Sequence, residues 1–71
     1  MERMLRYSLE HQRAIRMMLI AGDGRLRQVK AVVERMEGRE LTLYILRPPE
    51  RLQLRVDDVL SADYAGGDDG M

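Results

Sequence analysis

Two periodicities divide the chain. Over residues 1–11, MERMLRYSLEH, the apolar Met1, Met4, Leu5 and Leu9 recur at the three- and four-residue spacing of one helical face, with Glu2, Arg3, Arg6 and Glu10 opposite. The pattern predicts a short helix, too short to persist alone and therefore packed on the β body C-terminal to it. From residue 14 the period falls to two. Ile15, Met17, Leu19 and Ala21 share one side of an extended strand, and Ala14, Arg16, Met18 and Ile20 share the other. Both sides are partly apolar, which places this strand at the centre of a sheet or beneath the helix. Gly22-Asp23-Gly24 ends it with residues that tolerate positive φ, a hairpin signal.

The next extended run, Arg25 to Glu37, puts Val29, Ala31 and Val33 on one face and Gln28, Lys30 and Glu34 on the other. A strand this long is expected to bend, commonly at a bulge. After a second turn at Glu37-Gly38-Arg39, Leu41, Leu43 and Ile45 alternate with Thr42, Tyr44 and Leu46 in a third strand that Pro48-Pro49 ends. Leu52, Leu54 and Val56 alternate with Arg51, Gln53 and Arg55 in a fourth. Val56-Asp57-Asp58-Val59 reads as one helical turn, with Asp57 as its cap. Leu60 to Ala65 supplies a fifth strand, with Leu60, Ala62 and Tyr64 at period two; residues 66–71 carry no apolar pattern and predict a disordered tail. Short connections favour antiparallel neighbours. The expected fold is mainly β: an N-terminal α-helix, then a five-stranded antiparallel sheet closed into a small barrel.

A chain of 71 residues has room for one domain, here residues 1–65. A domain of this size buries about 60% of its unfolded surface, and such a core seldom yields more than roughly 3–5 kcal/mol without a staple. With no cysteine, neither a disulfide nor a thiolate metal site can add to that, and the single histidine, His11, excludes a histidine-rich metal site. Self-association is the remaining route to extra stability, so a homo-oligomer is expected. No apolar run approaches the roughly 20 residues of a membrane span, and there is no separate apolar stretch of signal-peptide type; a cytoplasmic location without membrane contact is expected. Formal net charge is zero, but residues 1–56 hold all 12 basic side chains and only 7 of the 12 acidic ones, leaving Asp57, Asp58, Asp63, Asp68 and Asp69 beyond them. Eleven of the 12 basic residues are arginine, whose planar fork suits carboxylate, phosphate and aromatic partners.

No catalytic constellation assembles from these residues. Ser8 and Ser61 lack a base in range. His11 fits a helix C-terminus, where the dipole favours it. Asp57 and Asp58 are adjacent and do not face each other on a helix, and Gly22-Asp23-Gly24 joins strands instead of opening a helix, so it is a turn and not a phosphate loop. Met4, Met17, Met18 and Met36 read as core filler before an adaptable binding surface. The expectation is a protein that is not an enzyme and uses no cofactor. Arg51 and Arg55, with Tyr44 on the neighbouring strand, form the one basic and aromatic surface that could meet a small anionic ligand or single-stranded nucleic acid.

The segment LRYSLEHQRAIRMMLIAGDGRLRQVKAVV, followed by GRELTLYILRPPERLQLRVDDVLSADY, resembles the WYL domain family over residues 4–64. Leu41 and Tyr44 match that family's third strand; Leu54, Arg55, Val56, Asp57 and Val59 match its last conserved segment. The naming Trp-Tyr-Leu triplet falls on Arg39, Glu40 and Leu41, so only the leucine is kept, and the tyrosine of the first strand falls on Leu19. The resemblance implies an Sm-like, Src-homology-3-like small barrel acting as a non-catalytic regulatory or interaction module. It implies a ligand contact at Arg55 alone; the strand pattern adds Arg51 and Tyr44, so the expected ligand-binding residues are Arg55, Arg51 and Tyr44. The alternative is an Sm-like oligomeric assembly protein or nucleic-acid-binding protein, since such barrels expose strand edges that pair between subunits.

Overall fold

The computed structural model describes residues 1–64. Helix α1 (Glu2–His11) is followed by β1 (Ile15–Ile20), β2 (Leu26–Glu37), β3 (Glu40–Leu46), β4 (Pro49–Arg55), a 3₁₀ turn (Val56–Asp58) and β5 (Val59–Tyr64). The five strands form one antiparallel sheet in the order β4-β3-β2-β1-β5. The tail expected over residues 66–71 lies outside the described residues.

Period-two patterning becomes an inner face because the register aligns the apolar sets. Ile15 and Met17 of β1 stand opposite Ala31 and Val29 of β2; Val33 and Ala31 stand opposite Leu43 and Ile45 of β3. These residues, with Leu19, Leu41, Leu5, Val56 and Val59, are the buried core. The turns are where glycine is needed. Gly24 closes the β1–β2 hairpin at φ 84° and Gly38 the β2–β3 hairpin at φ 56°, a left-handed region that costs other residues energy. At the first of these turns the Asp23 carboxylate accepts the Arg25 amide (3.0 Å). The bend expected in the long second strand is present: the β2–β3 register shifts between Val33 and Arg35.

Helix α1 lies against β2 just past the point where β1 begins. The last β1–β2 pair is Ile15 with Ala31, so Val33 has no β1 neighbour. Two helix-end side chains supply the missing partners. The fully buried Ser8 hydroxyl accepts the Val33 amide (2.9 Å) and donates to the Arg13 carbonyl (2.6 Å). Gln12, left-handed at φ 52°, donates through Nε2 to the Val33 carbonyl (3.3 Å) and to the Leu9 carbonyl (2.8 Å). Leu5 is carried into the core by the same docking, and the Tyr7 ring meets Tyr64 of β5 edge-on, with centroids 5.2 Å apart.

Four expectations are corrected. The sheet is not closed into a barrel: among the described residues β4 pairs with β3 alone and β5 with β1 alone. Helix α1 and the 3₁₀ turn cover the core with Leu5 and Val56, so the sheet buries its apolar face without joining its edges. The period-two grouping of Leu60 with Ala62 and Tyr64 is broken, and Tyr64 is itself exposed. A register shift opposite Met18 and Leu19 lets Val59 take the core position and leaves Leu60 exposed (51%). The turn after β4 uses Asp58 in place of Asp57: the Asp58 carboxylate accepts the Arg55 amide (3.2 Å), while Asp57 is taken by Arg39. Pro49 opens β4 where a proline was expected only to end β3. It can do so because β4 is an edge strand and the Pro49 nitrogen lies on the side away from β3, where no ladder donor is required.

Candidate binding surface

Tyr44 and Arg51 are direct cross-strand partners on the outer face of β3 and β4, because the β3–β4 register pairs Leu43 with Leu52 on the inner one. The Arg51 guanidinium sits over the Tyr44 ring, 5.6 Å from its centroid, within cation–π range. It is also gripped by Glu34, the residue at the β2 bulge, through Nε (2.6 Å) and Nη2 (3.3 Å). The hydrogen bond from Arg51 holds the Glu34 carboxyl below its usual value against the opposing effect of burial, and the same bond moves Arg51 upward. Arg51 is therefore a cation already supplied with a carboxylate, and it fixes Tyr44 more than it advertises charge.

Arg55 lies on the same outer face, four residues and roughly 13 Å along β4 at strand rise. The structure thus does not bring Arg55 together with the Tyr44–Arg51 pair. Its neighbours are Glu40, its cross-strand partner, and Asp57 (3.7 Å from Nε). Asp57 is bonded to Arg39 Nη2 (2.5 Å), and Arg39 reaches Glu2 of α1 through Nη1 (3.4 Å). This chain of ion pairs ties the helix, the β2–β3 turn and the 3₁₀ turn together. The bond from Arg39 is the main cause that holds the Asp57 carboxyl below its ordinary value and moves Arg39 upward.

Between these two arrangements lies an open groove of about 350 Å³ lined by Arg35, Glu37, Glu40, Leu41, Thr42, Gln53, Leu54 and Arg55. The register builds it. Arg35, Thr42 and Gln53 lie in one row across β2, β3 and β4, and Glu37, Glu40 and Arg55 in the next. Arg35 also pairs with Glu37 (3.0 Å). Two arginines face two glutamates, with an amide and a hydroxyl between them. An isolated anion would meet Glu37 and Glu40 as closely as the arginines; a ligand presenting alternating donors and acceptors, as an extended peptide does, is matched on both sides. Sequence reasoning found Arg55 and missed Arg35, which alternation from Val33 would turn inward and which the register shift after Val33 turns outward; Thr42 and Gln53 share the outer face by alternation alone, but nothing in their residue types marked them.

The groove runs beside a strand with one free side. The Val56 amide donates to the Arg39 carbonyl (2.8 Å), which fixes the phase of β3–β4 bonding: Leu54, Leu52 and Glu50 turn their backbone groups into β3, and Arg55, Gln53, Arg51 and Pro49 turn theirs away. Among the described residues no cluster of three or more histidine, aspartate or glutamate side chains could hold a metal ion, and no helix is long and apolar enough to cross a membrane. No protein-family model, curated protein or solved structure matches the chain.

Proposed function

We propose that this protein is a non-catalytic interaction module, WYL-like in kind, that binds an extended segment of a partner along β4. The observation that carries the reading is the coincidence, along β4, of a backbone edge unpaired among the described residues and a groove lined by Arg35, Gln53 and Arg55. Strand addition draws its affinity from main-chain hydrogen bonds and its specificity from neighbouring side chains. Here the first would come from Arg51 and Gln53 and the second from the charged rows of β2–β4. Kinship with Sm-like folds, in an open form, is supported by the leading helix, the bulged β2 and a strand order that leaves β4 and β5 at opposite edges.

A second reading has its own observation: β5 is also an edge, so the partner strand can be the β5 of another copy. Pairing β4 of one copy with β5 of the next is head-to-tail and generates rings or filaments. One substitution removes the strand-addition site that both readings share, and self-association reads its loss. Gln53→Pro removes a donor that faces away from β3 and leaves the β3 ladder intact, as Pro49 already does. Multi-angle light scattering over a concentration series should show self-association of the native chain that Gln53→Pro abolishes while circular dichroism stays native. A native chain that is monomeric throughout removes the oligomer reading, and self-association that survives Gln53→Pro removes β4 as the interface.

A further inference from the structure

The edge of β4 is stopped at both ends. Four residues turn their backbone away from β3, but among the described residues only two of them keep a donor without a partner. Pro49 has no N–H, and the Arg55 amide is occupied by the Asp58 carboxylate (3.2 Å). The open donors are those of Arg51 and Gln53. We infer that Asp58 is a stop residue, which limits strand pairing at this edge to a two-residue frame and so keeps the module from unrestricted edge-to-edge association. The inference rests on the reading of β4 as the pairing strand and adds to it the device that sets the length of the pairing.

The physical argument is one of competition. A strand extending past Gln53 must bond the Arg55 amide, and to do so it must displace a carboxylate, a stronger acceptor than a carbonyl. Displacement also leaves Asp58 without its local bond and loosens the 3₁₀ turn that seats Val56 in the core. Edge strands are commonly blunted by a proline or a charge; here one of each stands at the two ends of a single strand. Asp57 cannot substitute for Asp58, because it is engaged by Arg39 and Arg55.

The test compares the native chain with Asp58→Ala, which frees the Arg55 amide, and Asp58→Asn, which keeps an acceptor oxygen in place. Amide hydrogen exchange by NMR on dilute protein reads the stop itself. The Arg55 amide should exchange slowly in the native chain, faster in Asp58→Asn, whose neutral amide oxygen is the weaker acceptor, and several-fold faster than native in Asp58→Ala, with Gln53 and Arg51 fast in all three. Light scattering then reads the consequence: Asp58→Ala should associate about fivefold more tightly than native, the equivalent of one more net backbone hydrogen bond. Equal Arg55 exchange in native and Asp58→Ala overturns the inference, and so does unchanged association in a variant whose Arg55 amide has been freed. If Gln53→Pro blocks association while Asp58→Ala leaves it unchanged, β4 remains the pairing strand and only the stop is lost. Should Asp58→Ala fail to fold, the native chain carries the decision: Arg55 exchange as fast as that of Gln53 and Arg51 overturns the stop.

Discussion

Ser8 is the residue whose removal tests the helix–sheet junction most directly. Its hydroxyl is fully buried, accepts the Val33 amide at 2.9 Å and donates to the Arg13 carbonyl at 2.6 Å. Ser8→Ala deletes one atom and leaves the Val33 N–H inside the protein with no acceptor, because β1 does not extend far enough to supply one. An orphaned buried donor costs about 1–3 kcal/mol. Alanine returns about 0.5 kcal/mol as the better helix former, so the expected net loss is about 1–2 kcal/mol. Set against the at most roughly 3–5 kcal/mol that a core of this size supplies, the variant should lose about a third or more of its stability. Urea titration followed by far-UV circular dichroism measures it, with the slope unchanged and the midpoint lowered. Arg3→Ala, on the exposed side of the same helix, is the control and should shift stability by less than about 0.5 kcal/mol. A Ser8→Ala loss as small as the control's would show that the Val33 amide is satisfied by some other acceptor and that Ser8 does not hold the junction.

Three further outcomes are expected from the same geometry. Asp57 has its carboxyl lowered in the folded state by Arg39, so its contribution is present above the unfolded carboxylate value and disappears as pH falls through the lower, folded one. Stability measured from neutral pH downward should therefore fall less steeply in Asp57→Asn than in the native chain, and parallel curves would contradict the pairing. At the start of β5, Leu60→Ser should change stability by under about 0.5 kcal/mol while Val59→Ala costs at least about 1 kcal/mol; the reverse order in urea titrations would show that the bulge is misplaced. Gly38→Ala, at φ 56° with open space around it, should cost about 1 kcal/mol through backbone conformation alone. Gly22→Ala, also in open space but without a positive φ, should be nearly neutral, and equal melting shifts for the two would refute the turn assignment.

Much of this architecture is local and therefore legible in the residues. A helical face spaced by three and four, then alternation by two, can be satisfied only by an α-helix followed by strands that turn at Gly22-Asp23-Gly24 and Gly38. The same alternation sends Ile15, Met17, Leu43 and Ile45 inward whatever the details of packing. Tyr44 and Arg51 could be placed on one face because a short connection between β3 and β4 leaves little freedom of register. Three-dimensional contacts decided the rest. The Ser8–Val33 bond joins residues 25 apart in sequence, the Arg51–Glu34 pair residues 17 apart, and Arg39 links Glu2 to Asp57 across most of the chain. Each depends on how strands are offset and where a bulge inserts one extra residue, and periodicity carries no such offset. For the same reason closure was not readable: alternation says which side chains face inward, but whether two sheet edges meet depends on accumulated twist and on what a docked helix already covers. Residue order alone was enough for an amphipathic helix and five strands with one apolar face. Packing in three dimensions made α1 complete the core, set Glu34 against Arg51, and left β4 a short free edge between Pro49 and Asp58.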